Sequence, residues 1–102
     1  MAVTHSHSCI TIASFPESNW HESEPLLETW KSVLQSVPGY LGSQVWLRRL
    51  DNGDVRCVIR ITWEYREQLE VFLASRWAPE HLFATLDPAP YDVVAEHFEQ
   101  HI

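Results

Sequence analysis

From Val55 through Cys57, Ile59 and Ile61 to Trp63, apolar residues alternate with more polar ones. That period of two marks a half-buried strand. Directly afterwards the period becomes about 3.6, because Leu69, Phe72 and Leu73 fall on one helical face. A helix is therefore predicted over about Arg66 to Ser75, with an indole delivered to its mouth and the imidazole of His81 just beyond it. Earlier in the chain, Leu26, Leu27, Trp30, Val33, Leu34 and Val37 form a helical stripe that suits one buried face. Ser23 suits the N-cap of that helix, Pro25 is tolerated in its first turn, and Pro38-Gly39 end it. A first strand is expected over about Ser8 to Phe15, stopped by Pro16, and a second over about Leu41 to Leu50. Between the second and third strands, Asp51-Asn52-Gly53-Asp54 signals a hairpin, since Asn-Gly supplies the positive φ angles of a tight turn. Pro79 opens a short helical turn through Leu82 and Phe83, the last strand runs from Tyr91 to about Glu99, and residues 1–7 are expected to be frayed.

The resulting order, βαββαβ, is the ferredoxin-like α+β pattern with an antiparallel sheet. Its helices pack on one face of the sheet, and a sheet with one wet face should alternate cleanly. This one does not. Ile10 and Ile12 oppose Thr11, Ala13 and Phe15 in the first strand, Val45 and Leu47 oppose Trp46 in the second, and Val93 and Ala95 oppose Val94 and Phe98 in the last. No chain remains for a third layer, so a homodimer packing sheet against sheet is the expected solution.

Composition narrows the function classes. The 102 residues suit one domain, near the size at which a partner subunit helps. The net charge of −7, with only seven Lys and Arg, argues against nucleic acid, which requires clustered cations. The apolar runs are too short to span a bilayer, and the first eight residues lack the charge and apolar core of a signal peptide. A cytoplasmic protein with no membrane partner is expected. Cys9 and Cys57 lack CxxC spacing and read as buried, reduced thiols.

Two residues carry the candidate chemistry. Trp63 shares the parity of Ile59 and Ile61 and should point toward the helices. It serves either as a core residue or as a flat pocket wall suited to stacking on an aromatic ligand. His81 is either a partly exposed surface histidine or a ligand-contacting group, general base or metal ligand. Other clusters are weaker. His5, Ser6, His7, Ser8 and Cys9 place three donors on one side of an extended segment, an arrangement more often an adventitious metal grip than a site. His97 and His101 read as surface residues, and Glu64, Glu67 and Glu70 as a solvated helix flank. Arg48, Arg56 and Arg60 lie in strands, where they could reach an interface or an acidic ligand group. There is no Gly-rich phosphate loop, and the spacing supports neither a Ser-His-Asp nor a Cys-His arrangement.

The strand ending on Trp63, the helix containing Leu69, Phe72 and Leu73, the following His81 and the Pro38-Gly39-Tyr40 break together resemble the antibiotic biosynthesis monooxygenase (ABM) family over roughly residues 9–99. The resemblance implies a dimeric α+β barrel. In the haem-degrading branch, a histidine at the position of His81 ligates iron, beside an asparagine where this chain has Thr11 and a tryptophan where it has Phe72. Those two departures argue against haem degradation. The anthrone-oxidising branch matches Trp63, but its asparagine falls near Ile59 and its tyrosine near Leu69. The resemblance thus implies a cofactor-independent monooxygenase using O₂ on a small aromatic, anthrone-like or quinol-like molecule, with no metal. His81 or Tyr65 would move the proton, and Trp63, Phe72, Phe83 and Thr11 would contact the substrate. The alternatives are a non-catalytic small-molecule-binding or stress-response domain, or a cyclase or isomerase using the same pocket.

Overall fold

The computed structural model describes residues 5–101. Four strands, β1 (His7–Phe15), β2 (Tyr40–Arg49), β3 (Val55–Trp63) and β4 (Tyr91–Glu99), form one antiparallel sheet in the order β2-β3-β1-β4. Helices α1 (Trp20–Leu34), α2 (Arg66–Ala74) and the short α3 (Pro79–Phe83) complete the expected ferredoxin-like topology. Among the described residues no helix is long and apolar enough to cross a membrane.

The core lies between the helices and the two central strands. Strand alternation turns Cys9, Thr11, Ala13 and Phe15 of β1 toward Ile61, Ile59, Cys57 and Val55 of β3, which they directly oppose. All eight are buried, under Leu27, Trp30 and Leu34 of α1 and Leu69 and Phe72 of α2. Both cysteines are free and buried. Burial pushes the Cys57 thiol up to about 11, with the Glu24 charge adding to the shift, and burial also raises Cys9.

Three local expectations need correction. Helix α1 begins three residues before Ser23, after a single 3₁₀ turn over Glu17–Asn19. Tertiary contacts set that start. Trp20 packs edge-on against Phe15 at 5.6 Å, and the Asn19 amide donates to the Pro88 carbonyl at 2.8 Å. Ser23 is therefore buried inside the helix, where its hydroxyl donates back to the Asn19 carbonyl. Pro25 also lies inside the helix, leaving without its usual donor only the carbonyl of exposed His21, which water can reach. At the other end the helix stops at Leu34, and Val37 closes a tighter turn by donating to the Leu34 carbonyl. In the β2–β3 hairpin, Gly53 has φ +89°, whereas Asn52 does not share the positive φ. A turn closed by the Gly53 N–H on Leu50 O precedes a single left-handed glycine, so the hairpin forms where expected but with one positive φ only.

Residues 1–4 of the stretch expected to fray lie outside the described residues. Ser6 and His7 are held to the other end of the chain: the Gln100 N–H donates to Ser6 O, and β1 begins at His7 opposite Glu99.

Asp54 joins three parts of the fold. It accepts the Glu17 N–H at 2.9 Å, the Asn52 amide at 3.0 Å and the Tyr91 hydroxyl. The Tyr91 bond foremost, then the Glu17 N–H, holds the Asp54 carboxyl below the ordinary aspartate range, while the same bond raises the Tyr91 phenol. A depressed carboxyl stabilises the fold above its unfolded pKa of about 4 and loses that contribution as pH falls through the folded value. A raised phenol contributes below about pH 10 and loses its contribution as pH rises through the folded value. Tyr91→Phe should move the Asp54 carboxyl resonance back toward an ordinary titration, and Asp54→Asn should do the same for Tyr91 absorbance near the alkaline end. Unchanged titrations in both variants would contradict the linkage.

Candidate functional site

Trp63 ends β3 with a side chain that is 0% exposed. Its ring meets Tyr40 edge-on at 5.9 Å and lies tilted on Phe72 at 5.3 Å, and Phe72 in turn stacks on Trp30 at 6.3 Å. The chain then turns into α2, where the Tyr65 N–H donates to the Gln68 side chain at 3.1 Å. Opposite lies Gly39, with φ +84° and its carbonyl accepting the Glu64 N–H at 2.8 Å. A Cβ at Gly39 would stand 1.7 Å from the Gln68 amide oxygen. The left-handed backbone is what favours glycine here, since the Gln68 amide, at the end of a flexible side chain, can swing away from a Cβ. The residue that breaks the chain after α1 thus also presses the α1–β2 turn against the start of α2.

These elements enclose a cleft of about 440 Å³. Its lining includes Leu34, Val37 and Pro38 from the end of α1 and the turn after it, and the buried Trp63 and Phe72. Val71 and Trp77 extend the apolar lining, while Glu67, Gln68 and Ser75 supply its polar side chains. The buried Trp63 Nε1–H has no hydrogen-bond partner in the protein, an uncommon state for a buried donor. A chamber of this size and composition suits a small apolar or aromatic ligand oriented by a few polar groups.

The candidate residues separate in space. Trp63 and Phe72 meet in the cleft. Phe83 belongs elsewhere, packed against Phe15 at 5.3 Å and Trp30 at 6.2 Å, and lines a different hollow of about 290 Å³ with Pro79 and Val93. Thr11 is buried in the middle of β1, its hydroxyl 3.8 Å from the Cys9 sulfur, outside the cleft lining. Tyr65 is about half exposed at the head of α2 and does not line the cleft. His81 is exposed and lines none of the hollows described. Helix geometry explains its position. Pro79, Leu82 and Phe83 form the buried face of α3, and at about 100° per residue His81 lies far around the helix from Pro79 and Phe83.

Sequence reasoning missed Glu67, Gln68, Val71 and Trp77. Glu67 and Val71 stand four residues apart on α2, the signal that could have placed them on one face. Glu67 belongs to the cleft lip rather than to a uniformly solvated flank, whereas Glu70 pairs with Arg66 at 3.1 Å in solvent. A second, shallower cleft of about 530 Å³ lies between α1 and β2, where Trp20 and Leu27 face Val45 and Leu47.

The packing argument predicts a graded response in urea denaturation. Trp63→Ala should cost about 3–5 kcal/mol. Gly39→Ala should cost at least about 1–2 kcal/mol from backbone strain alone. Val71→Ala, at a position 70% exposed, should stay within about 0.5 kcal/mol of the parent.

No family model matches the chain, and no curated protein sequence matches it. Solved structures do. A Nitrosomonas europaea protein described as a candidate antibiotic biosynthesis monooxygenase superposes with a TM-score of 0.76 at 11% identity, covering 98% of this chain and 94% of that one. A further antibiotic biosynthesis monooxygenase superposes with a TM-score of 0.70 at 14% identity over 94% of this chain and 97% of the other. The Mycobacterium tuberculosis haem degrader MhuD, solved with two haems in its active site, gives 0.64 at 21% identity, covering 94% and 96%. The sheet order, helix placement and near-complete mutual coverage establish that this chain has the fold of the antibiotic biosynthesis monooxygenases.

Proposed function

We propose that this chain is a homodimeric ABM-type protein whose α1–α2 cleft binds a small aromatic, anthrone-like or quinol-like molecule and oxygenates it without a cofactor. The observation that carries this reading is the apolar cleft lined by Trp63, Phe72, Val71 and Trp77. Such aromatic and aliphatic walls suit contact with a flat apolar ligand. In such chemistry the deprotonated substrate itself reduces O₂, and the protein supplies placement, exclusion of water and a proton acceptor. Glu67, at the cleft lip, takes over the acceptor role that the sequence suggested for His81 or Tyr65. Haem degradation is disfavoured because His81 lies off the cleft and Phe72 and Thr11 stand where that branch carries other residues. The binding-only reading is supported by the scarcity of polar groups in the cleft, one of which, Gln68, is engaged with the Tyr65 N–H.

Oxygen uptake with a panel of anthrones and quinols separates the two readings. Glu67→Gln should slow turnover by about 10²–10⁴-fold while leaving ligand affinity nearly intact. Val71→Lys should abolish binding and turnover together, and His81→Ala should change neither. Saturable binding without oxygen uptake would establish the binder.

The proposed dimer rests on the sheet's second face. Register places Ile10, Ile12, Trp46, Val58, Val94 and Phe98 there together, with Trp46 53%, Val94 48% and Phe98 48% exposed. Trp46, Val58, Ile12 and Val94 form an apolar row across the whole sheet, beside a row that carries Arg60, Ile10 and Glu96, and soluble monomers seldom leave such a row in water. The radius of gyration, 14.2 Å, exceeds the roughly 13 Å of a compact domain of this length. Light scattering at micromolar concentration should give twice the chain mass, and Trp46→Glu combined with Val94→Glu should yield a monomer. A stable, soluble parent monomer would refute the dimer.

A further inference from the structure

The fold brings together histidines that are far apart in sequence. Strand β1 starts and β4 ends side by side, with His7 opposite Glu99 and Cys9 opposite His97. His7 and His97 are therefore diagonal neighbours on one face of the sheet, and His7 Nδ1 stands 3.1 Å from His97 Nε2. Their rings lie 5.4 Å apart at 42°. Beyond them, His5, Glu99 and His101 border a small polar hollow of about 180 Å³. Four of the six histidines in the chain thus gather at this one end of the sheet.

We propose that His7 and His97 form a chelating pair for a divalent transition-metal ion. Metal–imidazole bonds of about 2.0–2.1 Å separate two nitrogens on one ion by about 2.9 Å at a right angle and about 3.4 Å at a tetrahedral angle. The observed 3.1 Å falls within that interval, and because 5.4 Å between centroids sets the two nitrogens head to head, both rings must turn by about 40° to aim their lone pairs at one ion. His97 is exposed and His7 partly so, which leaves the ion an open approach. Imidazole donors select Cu²⁺, Ni²⁺ and Zn²⁺ over the hard cations. Among the described residues no three His, Cys, Asp or Glu side chains converge on a common point. The protein therefore supplies two ligands, and water completes the shell. Cys9 is no third ligand, because its thiol is buried and in contact with the Thr11 hydroxyl. The ion would bridge the first and last strands, clamping edge strand β4 to β1 where the two ends of the chain meet. Because an ion seated on both strands binds the folded chain in preference to the unfolded one, it raises stability with its concentration.

Calorimetric titration of the metal-free full chain with Ni²⁺, paired with thermal melts, tests the site. One ion per chain is expected, with a higher melting temperature as Ni²⁺ is added. His7→Ala and His97→Ala, both at accessible positions, should each weaken binding by at least about 10–100-fold and remove the thermal shift. His21→Ala and His81→Ala should leave both unchanged. The electron paramagnetic resonance spectrum of the Cu²⁺ form should show coupling to two imidazole nitrogens, reduced to one in either single variant. Binding no tighter than about 1 mM in the parent, or parent-like affinity in both single variants, would overturn the proposal.

Discussion

Two helices of fifteen and nine residues must cover a four-stranded sheet, and they can cover only its middle. Their apolar faces bury β1 and β3, whose helix-facing side chains are almost entirely removed from water. The edge strands receive far less, since every residue of β4 and most of β2 stays exposed. That shortfall explains much of the rest. It opens the shallow cleft between α1 and β2 and leaves apolar side chains on both faces at the edges. A partner subunit is the simplest way to remove that surface from water, because burying apolar area is the dominant favourable term in association.

Within the covered region, aromatic contact replaces aliphatic packing along one line. Tyr40, Trp63, Phe72, Trp30, Phe83, Phe15 and Trp20 touch in succession, every neighbouring pair with ring centroids within 6.3 Å. Rigid rings in such contact resist collapse, so a gap at the end of the line persists as a cleft rather than closing. The α1–α2 cleft sits at that end, held open by Trp63 and Phe72 and bounded by the Gly39–Gln68 approach. Core and candidate site are therefore continuous. The two uses of Trp63 considered from the sequence, core residue and pocket wall, describe the same side chain seen from opposite sides.

The polar contacts follow a different logic, joining segments remote in sequence at the ends of the sheet. At one end Asp54 gathers the hairpin, the turn before α1 and the start of β4. At the other, the Ser6–Gln100 and His7–His97 contacts join the two ends of the chain. Neither group lies in the apolar core, and both bring together side chains whose relation no local pattern reveals.

The alternation of β3 and the helical stripes of α1 and α2 were legible because periodicity is a local property, set by whether successive side chains point to water or to the core. Hence the βαββαβ order, the strand ends at Trp63 and Phe15, the start of α3 at Pro79 and the orientation of Trp63 toward the helices could all be read from the chain. The start of α1 could not, because Trp20 packing on Phe15 and Asn19 bonding to Pro88 set it, and neither contact is local. The candidate site was legible only in part. Trp63 and Phe72 stand at positions that periodicity turns inward, whereas the inference for His81 depended on where a five-residue helix would aim one side chain. Its rotation is decided by Pro79, Leu82 and Phe83 seeking the core, which carries His81 outward. The meeting of His7 with His97 likewise depends on strand register across ninety residues. Sequence by itself determined which side chains must leave water; only the tertiary structure decided which of the remaining polar groups would meet, because their positions follow from how the buried ones pack.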